Sequence, residues 1–172
     1  SSTGTVLRSL GRTNPQGGFI PGKGPGEFNK PTGVAISSSR IAVAARNNGR
    51  VQIFDRDFVF IRQIRLDEAA PGGIPYGEED EEEDSKTFAV AWGPDGALYV
   101  VDEANDRAVV FDAQGALLAV IGSEGAALGQ FENPKGAAAS ILSYLYIADR
   151  GNKRIQKFDP FRNAVLASGA SL

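Results

Sequence analysis

The chain has 172 residues, 42% hydrophobic and 23% charged, with a net charge of −3 and no Cys, Met or His. That balance fits a globular domain and excludes a disulfide framework, a Cys- or His-ligated metal site, and catalysis by a histidine or thiol of this chain. No apolar run approaches the roughly 20 residues of a membrane-spanning helix.

The charge is unevenly spread. Residues 67–84 hold nine acids (Asp67, Glu68, Glu78, Glu79, Asp80, Glu81, Glu82, Glu83 and Asp84) and no Lys or Arg, leaving 18 bases against 12 acids elsewhere. The chain reads as a basic body carrying one acidic insert. Like charges in a block repel and stay hydrated, so 78–84 is expected to be a solvated loop without fixed structure. The first residue is Ser1, with no initiator Met and no signal-peptide pattern. A fragment or processed product is therefore expected, and the compartment is left open.

Taken along the chain, Thr5–Gly11 aligns with Ala116–Gly122 and with Ala164–Gly169, and reads as the outer strand of a preceding unit. Residues 12–64 form a first unit with a long lead-in, 65–85 the acidic insert, 86–122 a second unit and 123–172 a third. The units repeat. Arg50-Val-Gln-Ile-Phe54-Asp55 recurs as Arg107-Ala-Val-Val-Phe111-Asp112 and Arg154-Ile-Gln-Lys-Phe158-Asp159, with Asn48, Asn105 and Asn152 at fixed distance. Gly26-Glu-Phe28-Asn-Lys-Pro31-Thr-Gly33 recurs as Gly129-Gln-Phe131-Glu-Asn-Pro134-Lys-Gly136, and the middle unit lacks this lead-in.

Four short strands are predicted per unit. They are clearest in the second: Thr87–Trp92, Ala97–Asp102, Arg107–Asp112 and Ala116–Ile121, parted by Pro94-Asp-Gly96, Glu103–Asp106 and Ala113-Gln-Gly115. The strands are rich in Val, Tyr and Phe, the separators are turn residues, and helical periodicity is absent. Four antiparallel strands every 40–45 residues or so is the period of a propeller blade. The fold class is all-β: a partial β-propeller of about three four-stranded blades.

The lead-in motif, the Tyr146-Ile-Ala-Asp149 strand and Asn152-Lys-Arg154-Ile-Gln-Lys-Phe158-Asp159 together resemble the NHL repeat. The resemblance covers roughly residues 26–169, departs from the pattern at Ala45 and at Ser140–Ser143, and implies a propeller, usually of six blades. Three blades cannot close a ring, because apolar blade faces must pack on neighbours. The remaining blades are expected from the parent chain, from a second copy, or from another protein packed against this one.

The motif residues have structural expectations. Phe54, Phe111 and Phe158 should pack between blades, each worth roughly 1.5–3 kcal/mol. Asn48, Asn105 and Asn152 should sit at hairpin tips in the left-handed region. Each motif Arg should pair with a carboxylate of its own blade, Asp102 or Asp149, or bond tip carbonyls. Gly33 and Gly136 should give close approach at the hub.

Function is expected on the face that gathers the 2–3 turns and the lead-ins. The candidate partner-binding residues there are Lys30, Arg46, Asn47, Lys135, Arg150 and Lys153, with the acidic run Glu78, Glu79, Asp80, Glu81, Glu82, Glu83 and Asp84 on the same side. No catalytic residue, metal ligand or cofactor is expected. Gly17–Gly24 nearly spells a phosphate-binding loop, but no Ser or Thr follows Lys23, and Pro21 and Pro25 forbid the helix it needs. The acidic run lacks the glycine turn and spaced ligands of a calcium loop. Asp102 and Asp149 end second strands, away from a central channel. The leading expectation is a non-catalytic NHL-type scaffold that binds protein partners, in a larger protein or assembly, and is not an enzyme. Two alternatives stand beside it. One is an RNA-binding propeller using the basic face, against which the tips lack aromatic stacking residues. The other is a fragment of a lyase- or lactonase-like propeller, whose relatives use His or clustered carboxylates.

Overall fold

Turn chemistry divides the chain into short strands. A computed structural model describes residues 4–69 and 88–159. The first sheet runs β3 (Pro31–Ile36), β4 (Arg40–Ala45), β5 (Arg50–Asp55) and β6 (Phe60–Arg65), after a small hairpin of β1 (Arg12–Thr13) and β2 (Phe19–Ile20). A single four-residue helical turn, Leu66–Ala69, follows β6. The second sheet is β7 (Phe88–Trp92), β8 (Leu98–Asp102), β9 (Arg107–Phe111) and β10 (Leu117–Ile121). The third is β11 (Pro134–Ala139), β12 (Leu145–Asp149) and β13 (Arg154–Phe158). Within each sheet the hydrogen-bonded strands are neighbours in sequence, and every pairing is antiparallel.

The strands of the second blade begin and end within one residue of the sequence expectation. Gly96 and Gly115 explain this accuracy: both hold φ near +85° and close tight turns that only glycine adopts without strain. The segment 164–169, expected as the outer strand of the third blade, lies outside the described residues. Residues 4–10, read as an outer strand, form no strand, and no described strand pairs with them.

The sheets stack face to face with β3 against β7 and β7 against β11, so the first strands converge. One apolar layer lies between blades 1 and 2: Ala42, Ala44, Val51 and Ile53 meet Phe88, Val90, Val100, Val109 and Phe111. A second joins Tyr99, Val101 and Val110 to Phe131, Leu145 and Ile147. Alanines crowd the inner strands because wedge-shaped blades are closest at the hub. Gly33 carries this to its limit, since a Cβ there would sit 2.6 Å from the Phe88 carbonyl oxygen. Beside it, Thr32 Oγ1 donates to the same carbonyl at 3.1 Å. Gly136 differs from its expectation. A Cβ there would meet only Ala148 of its own blade, at 3.3 Å, where β11 bulges.

The three aromatic positions also divide. Phe111 is fully buried between blades 1 and 2. Phe54 is fully buried, but under Phe28 of the lead-in and Phe60 of its own blade, with ring centroids 6.1 and 5.9 Å away. Phe158 is only partly buried and leans on Phe131 at 5.5 Å. The stack does not close. Val34 and Ile36 on blade 1 and Ile155 on blade 3 are 65%, 58% and 75% exposed on its outward faces. The fold is a partial β-propeller.

Candidate functional site

The face expected to carry function is built by the 2–3 turns and the lead-in loops. Each turn is followed by one residue in the left-handed region: Gly49, Asp106 and Lys153, with φ of 58°, 46° and 54°. The asparagines expected in that conformation precede it and work through their side chains instead. Asn48 Nδ2 donates to the Gly22 carbonyl at 3.0 Å, and Asn152 Nδ2 donates to that of Gly125 at 2.9 Å. Asn105 Nδ2 donates to Asp102 Oδ2 at 2.8 Å.

The motif arginines and a glutamine complete a clamp on the lead-in. Arg50 donates to the carbonyls of Lys23, Gly24 and Glu27. Arg154 donates to the equivalent carbonyls of Ala126, Ala127 and Gln130 at 2.8, 2.6 and 2.8 Å. Gln52 accepts from the Gly26 amide at 2.9 Å and donates to the Glu27 carbonyl at 2.7 Å. Gln156 repeats both bonds, with the same lengths, on Gly129 and Gln130. The glutamine was not singled out in sequence, although its spacing from Arg and Phe recurs at 52 and 156 and is lost to Val109 in the blade that lacks the lead-in motif.

The predicted pairing of Arg with its own blade's carboxylate is present: Arg107 Nε lies 3.0 Å from Asp102 Oδ2, and Arg154 Nε 2.8 Å from Asp149 Oδ2. Blade 1 has Ala45 at that position, and Gln63 Oε1 accepts from Arg50 at 2.8 Å instead. Burial depresses the Arg50 pKa, nearby Arg65 adds to this, and Glu27 opposes it. Burial acts to raise the Asp149 pKa. The amide of Glu132 and the side chains of Asn152, Arg154 and Gln156 outweigh it, so this carboxyl lies below the usual range. Asp149 is thus fixed as an anion and has its acceptor capacity filled by the clamp.

The predicted partner-binding residues fall into three groups. Lys30 is exposed, and its carbonyl accepts from the Arg46 amide, whose side chain donates to Asn47 Oδ1 at 3.2 Å. Lys135 of blade 3 reaches Glu103 of blade 2 at 3.1 Å, and that carboxylate is 3% exposed. A second link joins these blades where Asp106 Oδ1 accepts from the Asn133 amide at 2.7 Å. Lys135 therefore serves as an inter-blade tie. Arg150 and Lys153 are exposed at the tip of blade 3. The run Glu78–Asp84 lies outside the described residues. Among the described residues, no group of three or more His, Cys, Asp or Glu is placed to hold a metal.

No family model matches the chain. Two curated proteins of Xenopus laevis are similar to it: peptidyl-glycine alpha-amidating monooxygenases B and A, 28% and 27% identical over 144 residues. Those alignments cover 79% of this chain but only 15% and 14% of the relatives, so the chain spans about one-seventh of their length. Among solved structures, hydrazine synthase of Kuenenia stuttgartiensis matches with a TM-score of 0.48 and 16% identity, covering 83% of this chain and 38% of that one. Virginiamycin B lyase of Staphylococcus aureus matches at 0.47 and 14%, covering 87% and 47%. The expectation that the chain is no enzyme is corrected by these comparisons, because the curated relatives are both named for an enzyme activity. The absence of His and Cys excluded particular chemistries within these residues; it did not exclude membership in a catalytic protein.

Proposed function

We propose that the chain is an NHL-type propeller segment of a protein that modifies peptides, related in activity to the amidating monooxygenases, and that these blades provide its rigid platform and one loop face. The observation that carries this reading is the alignment of 144 residues to two such enzymes. The NHL assignment is supported by the recurrence of lead-in, Asn, Arg, Gln and Phe in register, and by the identical clamp bonds in blades 1 and 3. The motif Asn, Arg and Gln side chains of blades 1 and 3 are consumed in holding loops, which suits a platform. Reacting groups would then come from other parts of the intact protein. The test is an assay of the intact protein with a peptidyl-glycine, followed by mass spectrometry. Formation of the peptide amide is expected. A folded protein that leaves the peptide unchanged overturns the reading.

A second reading, docking of an acidic protein partner on the loop face, is favoured by Lys30, Arg150 and Lys153. All three are exposed, and none of their side chains has a partner among the described residues. Such docking would weaken steeply with salt.

A further inference from the structure

The lead-in of blade 1 contains eight residues that the lead-in of blade 3 lacks, counted from Gly11 to Phe28 and from Gly122 to Phe131. The extra residues fold as the β1–β2 hairpin, with Arg12 opposite Ile20 and Thr13 opposite Phe19. Its turn is organised by Asn14, whose Oδ1 accepts from the amides of Gln16 and Gly18 at 3.1 and 2.8 Å. The propeller has no need of this hairpin, because blade 3 makes the same clamp without it. Insertions on a repeat template commonly mark a binding face.

The hairpin roofs a cavity of about 290 Å³, with Leu10, Phe19, Ile20 and Phe28 among its walls. Phe19 is 61% exposed, so much of its ring surface at the cavity wall is open to a ligand. Arg12 and Lys30 also line this cavity. The Arg12 guanidinium makes no hydrogen bond among the described residues, and its one acidic neighbour, Glu27, is 3.9 Å away. The other Glu27 oxygen accepts from the Gly24 amide at 2.8 Å, which holds that side chain to its own loop. Lys30 has no ion pair among the described residues and is fixed by its backbone, at φ of 49°. Apolar walls beside two cations, one held only by a long 3.9 Å ion pair and the other with none among the described residues, call for a ligand with an apolar body and one negative head.

We propose that the blade 1 hairpin builds a binding site for a small amphipathic carboxylate, its apolar part lying against Phe19 and Phe28 and its carboxylate between Arg12 and Lys30. A planar guanidinium pairs well with a carboxylate, and the volume is close to the lower end, roughly 300 Å³, of small-ligand pockets. This site stands or falls independently of the peptide-modifying reading.

The test is calorimetric titration of the intact protein with decanoate, and with decanol as the neutral counterpart. The variants are Arg12→Gln paired with Lys30→Asn, the latter chosen because asparagine tolerates positive φ. Circular dichroism confirms that the pair folds. Saturable one-to-one binding of decanoate is expected, weakened at least tenfold in the double variant, with decanol binding weaker and unchanged by the substitutions. Absence of saturable decanoate binding, equal binding of decanol, or decanoate binding indifferent to the double substitution would each overturn the proposal.

Discussion

Replacing Gly33 with alanine isolates the tightest contact between blades. The added methyl would lie 2.6 Å from the Phe88 carbonyl oxygen and 3.3 Å from Val90 Cγ2, where ordinary contact begins near 3.4 Å. Blade 1 and blade 2 must therefore part by about 0.8 Å at this point. Neither side yields easily. Gly33 pairs with Ala44, and Phe88 pairs with Asp102, so both are laced into their own ladders. The same parting would stretch the 3.1 Å bond from Thr32 to the Phe88 carbonyl. Overpacking of a close-fitted interior costs about 1–3 kcal/mol, and two rigid backbones place this case near 2–3 kcal/mol. For a chain of this size that corresponds to a fall of about 5–10 °C in midpoint. Gly136→Ala serves as the internal control, because its methyl would meet only a methyl at 3.3 Å within its own blade. Thermal unfolding followed by circular dichroism reads both. If Gly33→Ala melts with the unsubstituted protein, or no lower than Gly136→Ala, the convergence of blades at this glycine is wrong.

Two further outcomes follow from the buried groups. The lowered Asp149 pKa means that its stabilisation is complete above the ordinary carboxylate value, near 3.9, and is lost as pH falls through the folded-state value. Asp149→Asn turns one acceptor oxygen into a donor facing Asn152, Arg154 and Gln156, so a loss of about 2–3 kcal/mol at pH 7 and a flatter acid limb are expected in denaturant titrations. An unchanged acid limb would refute the assignment. Phe111→Ala should cost about 3–5 kcal/mol, whereas Phe158→Ala, with its ring partly exposed, should cost clearly less. Equal losses in chemical denaturation would contradict the different burial of the two rings.

Much of the fold was legible because turns and strands are local. Gly96, Gly115 and the Val-rich runs between them placed the second blade to within a residue. The Arg–Asp pairs were legible too, since both partners recur at fixed spacing within one hairpin. What the sequence hid was the other half of each clamp. Arg50 and Gln52 bond main-chain carbonyls some 25 residues upstream, and a carbonyl has no letter in a sequence. The similarity of Thr5–Gly11 to later outer strands suggested a strand, but resemblance supplies no partner ladder, and 4–10 forms none. The hairpin at 12–20 falls within what the sequence marks only as a long lead-in, where the glycines of 17–24 draw attention to a phosphate-binding pattern that Pro21 and Pro25 forbid. The cavity depends on Leu10, Phe19 and Phe28 meeting across that hairpin, which spacing alone does not reveal.

The grip of Arg154 and Gln156 on the loop before blade 3 falls on peptide groups of Ala126, Ala127, Gly129 and Gln130, never on their side chains. At its exposed positions 126–128 the stretch is thus anchored whatever side chains it displays, while Gly129, at φ of 83°, stays glycine. Such a mount lets selection rewrite the displayed surface freely, acid for base or small for large, while the architecture beneath stays unaltered.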